Sequence, residues 1–362
     1  MSRSWIIILA LWTGAATASE ETDTSVVPDS VVASIQSYDP AKPLNKRPPT
    51  YPANALQRGQ EAWINVSYCI DESGVPQNIS ILDSVGDEDF ERAAIRAVRK
   101  WRFEPALVNG EPSWQSNNAS YIMFAIDDGD IGGTRQFIRQ FKKLVKLLDD
   151  KNLTEADVLF DKLLASDRLN LYEQSKLWGQ KARYEILAGN LLKADVALRR
   201  ASVSGGQWLD DRSYIEILKL RTQVQLRIGQ FAAANRSFRL LGEKAGVDSP
   251  EASEVRPYME RLWSLVDSDT VIETSAAIMG RNECFGCDDS FQFTPVRRQF
   301  SFADVQGQLR SIEMRCDHKR FESAIAELVQ WHVPDDWGRC NIHVYGEPGT
   351  TFTILTLPDP ES

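Results

Sequence analysis

The sequence predicts an α+β protein in three successive parts: a ββαβ unit, an all-α array of helix pairs, and a C-terminal α+β unit. Three observations carry this reading. Apolar residues alternate from Trp63 to Ile70, and an apolar stripe of helical spacing follows from Phe90 to Trp101. The stretch from Phe137 to Ala245 contains no Pro and no strand-like alternation. Beyond Val266 the β-type pattern returns. With 362 residues, 43% of them apolar, the chain can fill two or three separate cores.

The N-terminus opens with Met1-Ser2-Arg3, an apolar run from Trp5 to Trp12, and the small-x-small site Ala16-Thr17-Ala18. This reads as a cleaved secretory signal over residues 1–18, which implies export to a periplasm. The competing reading is an uncleaved inner-membrane anchor facing the periplasm. The apolar stretch from Trp5 to Ala18 is shorter than the ~20 residues a bilayer span needs. Residues 19–48 form a linker containing Pro28, Pro40, Pro43 and Pro48.

In residues 49–130, Ile64, Val66, Tyr68 and Ile70 alternate with Asn65, Ser67 and Cys69, the period of a strand with one buried face. Asp71-Glu72-Ser73-Gly74 supplies turn chemistry, and Asn78 to Ile81 resumes the alternation as a hairpin partner. Phe90, Ala93, Ala94, Ala97, Val98 and Trp101 then fall on one helix face, with Arg92, Arg96, Arg99 and Lys100 on the other. Pro105 ends that segment. Tyr121, Ile122, Met123, Phe124, Ala125 and Ile126 return as a last strand. Closing a three-stranded sheet, this strand is an edge whose unpaired N–H and C=O groups can accept a strand from another chain. Cys69, on the polar face, is either a loosely covered free thiol or an intermolecular bridge.

Residues 133–266 read as helices only. Asn152-Leu153 with Ala156 and Phe160, Asn190-Leu191 with Ala194 and Leu198, and Gln230-Phe231 with Ala234 and Phe238 share one frame, at spacings of 38 and 40 residues. Each unit is two helices, for example Tyr172 to Leu187 against Leu191 to Ala201, with a small Ala where the axes cross. Pro250 to Val266 adds one more helix. The block resembles tetratricopeptide-type arrays, which implies either a protein-binding surface or a rigid spacer. Trp178, Tyr184, Trp208 and Tyr214 are read as packing residues.

Residues 267–362 are read as a disulfide-containing α+β domain with strands at Thr270 to Met279, Ser290 to Ala303, Gln308 to Arg315, Asn341 to Tyr345 and Thr350 to Leu357. Phe321, Ala324, Ile325, Leu328 and Trp331 fit an amphipathic helix between them. Gly307, Ile312 to Met314, Phe321 and Trp331 repeat the order of Gly74, Ile79 to Ile81, Phe90 and Trp101, which suggests a degenerate second ββαβ copy. In an exported protein Cys284, Cys287, Cys316 and Cys340 read as two disulfides, Cys284 with Cys287 and Cys316 with Cys340. A zinc site from these thiols with His318 or His332 is the alternative, and a redox role for Cys284 and Cys287 a further one.

The formal net charge of −10 conceals an asymmetry, because Gly133 to Ala245 holds 21 Lys and Arg against 13 Asp and Glu while both flanks are acidic. Such a middle either docks on acidic partners or merely carries solvated faces. The overall acidity of an exported chain argues against nucleic acid. No Gly-x-Ser-x-Gly elbow, no His pair at i, i+4 and no phosphate-loop Lys occur, and the three His all lie at or after His318. Asp87-Glu88-Asp89 sits where acids favour a helix N-terminus. The chain is therefore read as no enzyme, with no cofactor and no metal.

Taken together, Tyr51-Pro52, Gly59, the strand ending in Ile70-Asp71, Gly74-Val75, Phe90 with Ala93-Ala94, and the run Trp101 to Ala106 resemble the C-terminal domain of the TonB family. That family is periplasmic and transmits force to outer-membrane receptors. The resemblance implies binding of an extended receptor segment by strand addition along Tyr121 to Ile126, in energy-dependent outer-membrane transport. It also implies contacts from just upstream of Tyr-Pro, here Arg47, Pro48, Thr50 and Tyr51, where the family often carries Gln. Inner-membrane motor proteins are implied as partners only for an uncleaved N-terminus. The alternative is a non-transducing periplasmic scaffold that binds protein partners through its helical array.

Overall fold

The computed structural model describes residues 37–126, 132–280, 289–325 and 329–359. The described chain begins with two short strands, β1 (Tyr38–Asp39) and β2 (Lys42–Asn45), and helix α1 (Ala53–Arg58). Strands β3 (Ala62–Ile70) and β4 (Pro76–Val85) form the hairpin, helix α2 spans Glu88–Val98, and β5 (Arg102–Glu104), β6 (Ala106–Val108) and β7 (Glu111–Ser113) lead to β8 (Gln115–Phe124). The main sheet is antiparallel in the order β4-β3-β8, while β1-β6-β7 and β2-β5 form two small accessory sheets. Asp87 caps α2 through Asp89 N–H, and Phe90, Ala93, Ala94 and Val98 bury the helix against Ile64, Val66, Tyr68, Ile122 and Phe124. Gly74 is fixed by its surroundings. It takes φ 76°, its carbonyl accepts from Phe103 N–H, and a Cβ there would stand 1.8 Å from the Phe103 carbonyl oxygen.

Two expectations for this unit need correction. Strand β3 is buried at all nine positions, not on one face alone. Its second face is covered by the helical array at Trp63, which packs on Leu171 and Val203, and by the C-terminal unit, whose Arg315 donates to Ser67 Oγ at 3.1 Å. Cys69 is consequently a fully buried free thiol, which removes the intermolecular-bridge reading. The last strand begins earlier than Tyr121 and ends at Phe124. Ala125 and Ile126 lie outside it because Glu61 accepts from both Ile126 N–H (2.7 Å) and Leu171 N–H (2.8 Å), turning the chain toward the array.

The array comprises α3 (Arg135–Asp149), α4 (Leu153–Leu164), α5 (Leu171–Leu187), α6 (Leu191–Ala201), α7 (Asp211–Arg227), α8 (Phe231–Ala245) and α9 (Pro250–Val266). Its periodicity is visible in the backbone. The turns before α4, α6 and α8 each place one residue at positive φ (Lys151 53°, Gly189 81°, Gly229 72°). Asn152, Asn190 and Gln230 follow at φ −81°, −89° and −82°, and the N–H of each closes on the carbonyl five residues back at 2.8 Å. Ala156, Ala194 and Ala234, the small residues of the shared frame, are all fully buried. Tyr214 is in the core, Trp208 packs near Trp63, and Tyr184 meets Phe160 edge-on.

The C-terminal unit contains β9 (Ile272–Ala277), β10 (Ser290–Phe293), β11 (Gln299–Gln306), β12 (Leu309–Cys316), β13 (Arg320–Ala324), β14 (Trp331–His332), β15 (Cys340–Gly346) and β16 (Thr351–Leu357). They make two antiparallel sheets, β10-β15-β12-β13 and β14-β11-β16-β9, around Phe291, Phe293, Phe300, Phe302, Phe352 and Ile342. No α-helix occurs among its described residues, so the expected helix over Phe321 to Trp331 and the second ββαβ copy are not found. An i, i+4 pair such as Phe321 and Ile325 lies on one face of a helix and equally on one face of a strand. Here cross-strand partners decide: Met314 pairs with Phe321 and Ile312 with Ser323, and Arg320 reaches Glu313 at 2.6 Å. Cys316 and Cys340 are register partners on β12 and β15 and form a disulfide closing 24 residues, an unfolded-state constraint of about 3 kcal/mol. That bond takes two thiols from the zinc alternative. The pair Cys284 and Cys287, the signal over 1–18 and most of the linker lie outside the described residues.

The three parts are joined by buried polar contacts. Arg297 donates to the carbonyls of Val266 (2.8 Å), Leu265 (2.6 Å) and Thr270 (2.6 Å), closing the C-terminal end of α9 onto the last unit. Gly229 faces β9 so closely that a Cβ would lie 2.1 Å from Thr274 Cγ2.

Candidate peptide-binding edge

Strand β8 is the outer strand of the main sheet: it pairs with β3 along its whole length, from Ala62↔Phe124 to Ile70↔Gln115. Among the described residues no backbone group pairs with its other edge. Alternation assigns its side chains to two faces. Ile122 and Phe124 point to α2 and its core, whereas Met123 joins Trp63, Leu171 and Val203 on the array side. Tyr121 shares that second face, its ring centroid 5.9 Å from that of Trp63, and keeps 43% of its surface open.

The segment ahead of α1 runs alongside this edge on the α2 side. Tyr38 and Ala41 both donate to Gln115 Oε1 at 2.8 Å, near the start of β8. Lys46 Nζ donates to Ser120 Oγ at 3.1 Å while lying 4.7 Å above the Trp101 ring, and Trp101 Nε1 donates to the Arg47 carbonyl at 2.8 Å. Tyr51 wedges between Phe90 and Phe124, with centroids at 5.7 and 5.5 Å, and its hydroxyl donates to the Gln60 carbonyl. Burial, reinforced by Glu61, pushes the Tyr51 phenol up to about 12. Arg47, Pro48 and Thr50 line a cavity of about 230 Å³ with Arg96 of α2 and Lys100 just beyond its end. Of the upstream residues singled out from the sequence, these three face open space, while the Tyr51 hydroxyl is engaged internally.

On the array side the residues come from elements that sequence reasoning did not connect. Asp83, 2% exposed in β4, accepts from Arg200 Nε (3.0 Å) and Nη2 (2.8 Å) and from Arg199 Nε (3.4 Å). Arg200 also stacks on Trp178, 4.5 Å from the ring centroid. Asp83 breaks the apolar–polar alternation of β4, the only hint of its role in the sequence. Partial burial raises the Tyr121 pKa, and Arg199, Arg221 and Arg236 oppose that rise.

The comparisons bear on one part of this architecture. The family described as Gram-negative bacterial TonB protein C-terminal matches residues 47–123. Residues 47–123 form a TonB C-terminal domain. Protein TonB of Yersinia enterocolitica is 42% identical over 77 residues, 21% of this chain and 30% of that protein. Protein TonB of Pseudomonas aeruginosa is 40% identical over 70 residues, 19% of this chain and 20% of that protein. The chain thus spans less than a third of these relatives. The solution structure of the Pseudomonas aeruginosa TonB C-terminal domain shares 33% identity, covering 25% of this chain and 92% of its own, with a TM-score of 0.23. A superposition of that extent adds no argument to the sequence match. The TonB match ends at Met123 and includes neither the array nor the C-terminal sheets. Among the described residues no helix is long and apolar enough to cross a membrane.

Proposed function

We propose that the TonB C-terminal domain binds an extended peptide as an added strand along the free edge of β8, formed by Tyr121, Ile122, Met123 and Phe124. By family, the peptide is the short N-terminal box of an outer-membrane receptor, and the setting is energy-dependent transport at the outer membrane from the periplasmic side. The observation that supports this most directly is the edge without a backbone partner. Main-chain hydrogen bonds supply generic affinity and alternate side chains supply selectivity. Coupling to inner-membrane motor proteins belongs to this reading only with an uncleaved N-terminus.

The alternative of a scaffold acting through the array is less favoured, because array residues Leu171, Val203, Arg199 and Arg200 are engaged by the sheet and Gly229 and Gln230 by the C-terminal unit. Amide hydrogen exchange of the full chain, with and without a receptor-derived box peptide, is the test. Alternate amides of β8 should gain protection while their neighbours, already bonded to β3, do not change. Protection confined to the array would sink the strand-addition reading.

A further inference from the structure

Strand addition leaves open what a guest's side chains meet, and the array answers for one face. Building on the proposed mode of binding, we propose that Arg199, Arg221 and Arg236 form a receiving site for a carboxylate on the incoming strand, at the position beside Tyr121. The three arginines come from α6, α7 and α8, one per successive helix, and all act on the Tyr121 phenol.

The charge balance here is uneven. Asp83 pairs with Arg199 and Arg200, Asp195 is the carboxylate beside Arg199 and Arg221, and Arg236 adds a further positive charge near Tyr121. Asp83 is taken by Arg199 and Arg200, and Asp195 lies 4.0 Å from Arg199 while accepting from Gln225 at 2.9 Å. Among the described residues neither Arg221 nor Arg236 makes an ion pair within 4.0 Å. Arg221 donates to Ser202 Oγ at 3.1 Å, and its Nε is buried without a partner. Burial, with the like charge of Arg199 beside it, holds the Arg221 pKa below its ordinary value. Clustered, partly desolvated guanidiniums repel one another, and an anion relieves both that repulsion and the empty donor. Tyr121, on the unpaired edge of β8, keeps 43% of its surface open beside them.

A strand added along β8 points every second side chain toward the array. An Asp or Glu at the position flanking Tyr121 would therefore lie among the arginines, and a guanidinium fork suits a carboxylate. The occupant is thus an extended segment carrying an acidic residue in register with Tyr121.

The test uses the full chain and synthetic nine-residue Thr/Val peptides with one Glu moved stepwise along the sequence, each compared with its Gln counterpart by fluorescence anisotropy. The Glu form should bind about tenfold more tightly than Gln at array-facing positions, every second one, and the ratio should shrink with added salt. Arg236→Gln, at an exposed residue, should cut that ratio several-fold without changing Tm, and combining it with Arg221→Gln should bring the ratio within twofold. A Glu/Gln ratio within twofold at every position, or one that survives both substitutions, overturns the proposal. If Gln peptides protect β8 amides but no acidic preference exists, only the carboxylate site fails. If no peptide binds, strand addition fails and the site falls with it.

Discussion

Substituting Asp83 by Asn tests whether the array and the TonB C-terminal domain are one cooperative body. The change keeps the side-chain shape but removes the charge that Arg200 grips through two nitrogens at 2.8 and 3.0 Å and Arg199 through one at 3.4 Å. Asp83 is 2% exposed and Arg200 8%, so the pair is shielded from water and its rupture falls in the range of about 3–5 kcal/mol for breaking a buried ion pair. Arg200 keeps its stacking on Trp178, which places the expectation near the lower end, about 3 kcal/mol. Urea denaturation followed by circular dichroism and by tryptophan fluorescence reads the loss, since Trp63, Trp178 and Trp208 all lie near this junction. Asp83→Asn should move both signals to lower urea together, and adding Arg200→Met should restore part of the loss through a coupling above 1 kcal/mol, the size a double-mutant cycle resolves. A single-mutant cost under about 1 kcal/mol would mean the pair is solvent-screened and the junction held by Trp63, Leu171 and Val203 alone.

The other predictions concern the turns and the sheet interface. Lys151 holds φ 53° at a position where the two equivalent turns use Gly189 and Gly229, so Lys151→Gly should be neutral or stabilising by up to about 1 kcal/mol; a loss of stability in thermal unfolding would contradict the equivalence of the three turns. Glu313 is 2% exposed, and although burial raises its pKa, Arg315 and Arg320 lower it to about 2 overall. A carboxylate depressed from its ordinary value contributes stability above pH ~4.5 and loses it as pH falls toward 2, here up to about 3 kcal/mol. Denaturant midpoints between pH 5 and 2 should fall less steeply for Glu313→Gln than for the unaltered chain, and parallel curves would refute the assignment.

Local patterns were legible where one face of an element decides its conformation. The α2 stripe from Phe90 to Val98, the β3–β4 hairpin and the helix pairs around Ala156, Ala194 and Ala234 follow from periodicity, because the same residues make the nearest core. The motif residues Gly74 and Tyr51 are explained by contacts no pattern states, a carbonyl under Gly74 and two rings around Tyr51. What failed to show was long-range. Asn65, Ser67 and Cys69 read as a solvent face, yet partners more than 100 residues away cover that side of the sheet, from Leu171 and Val203 to Arg315. Phe321 and Ile325, four residues apart, fit a helix and a strand equally, and the pairing of Arg320–Ala324 with β12 makes that stretch a strand. The arginines around Tyr121 share no local signature, being spread over α6, α7 and α8 and brought together by the hairpin repeat itself.

The burial of β3 on both sides has a practical corollary for anyone trimming the protein. A fragment ending near Ile126 would bring Trp63, Met123 and the Cys69 sulfur into water at once, a greasy stripe beside a free thiol on an open-edged ribbon. Such a piece would self-associate and oxidise into covalent pairs, whereas the intact polypeptide keeps that stripe out of sight.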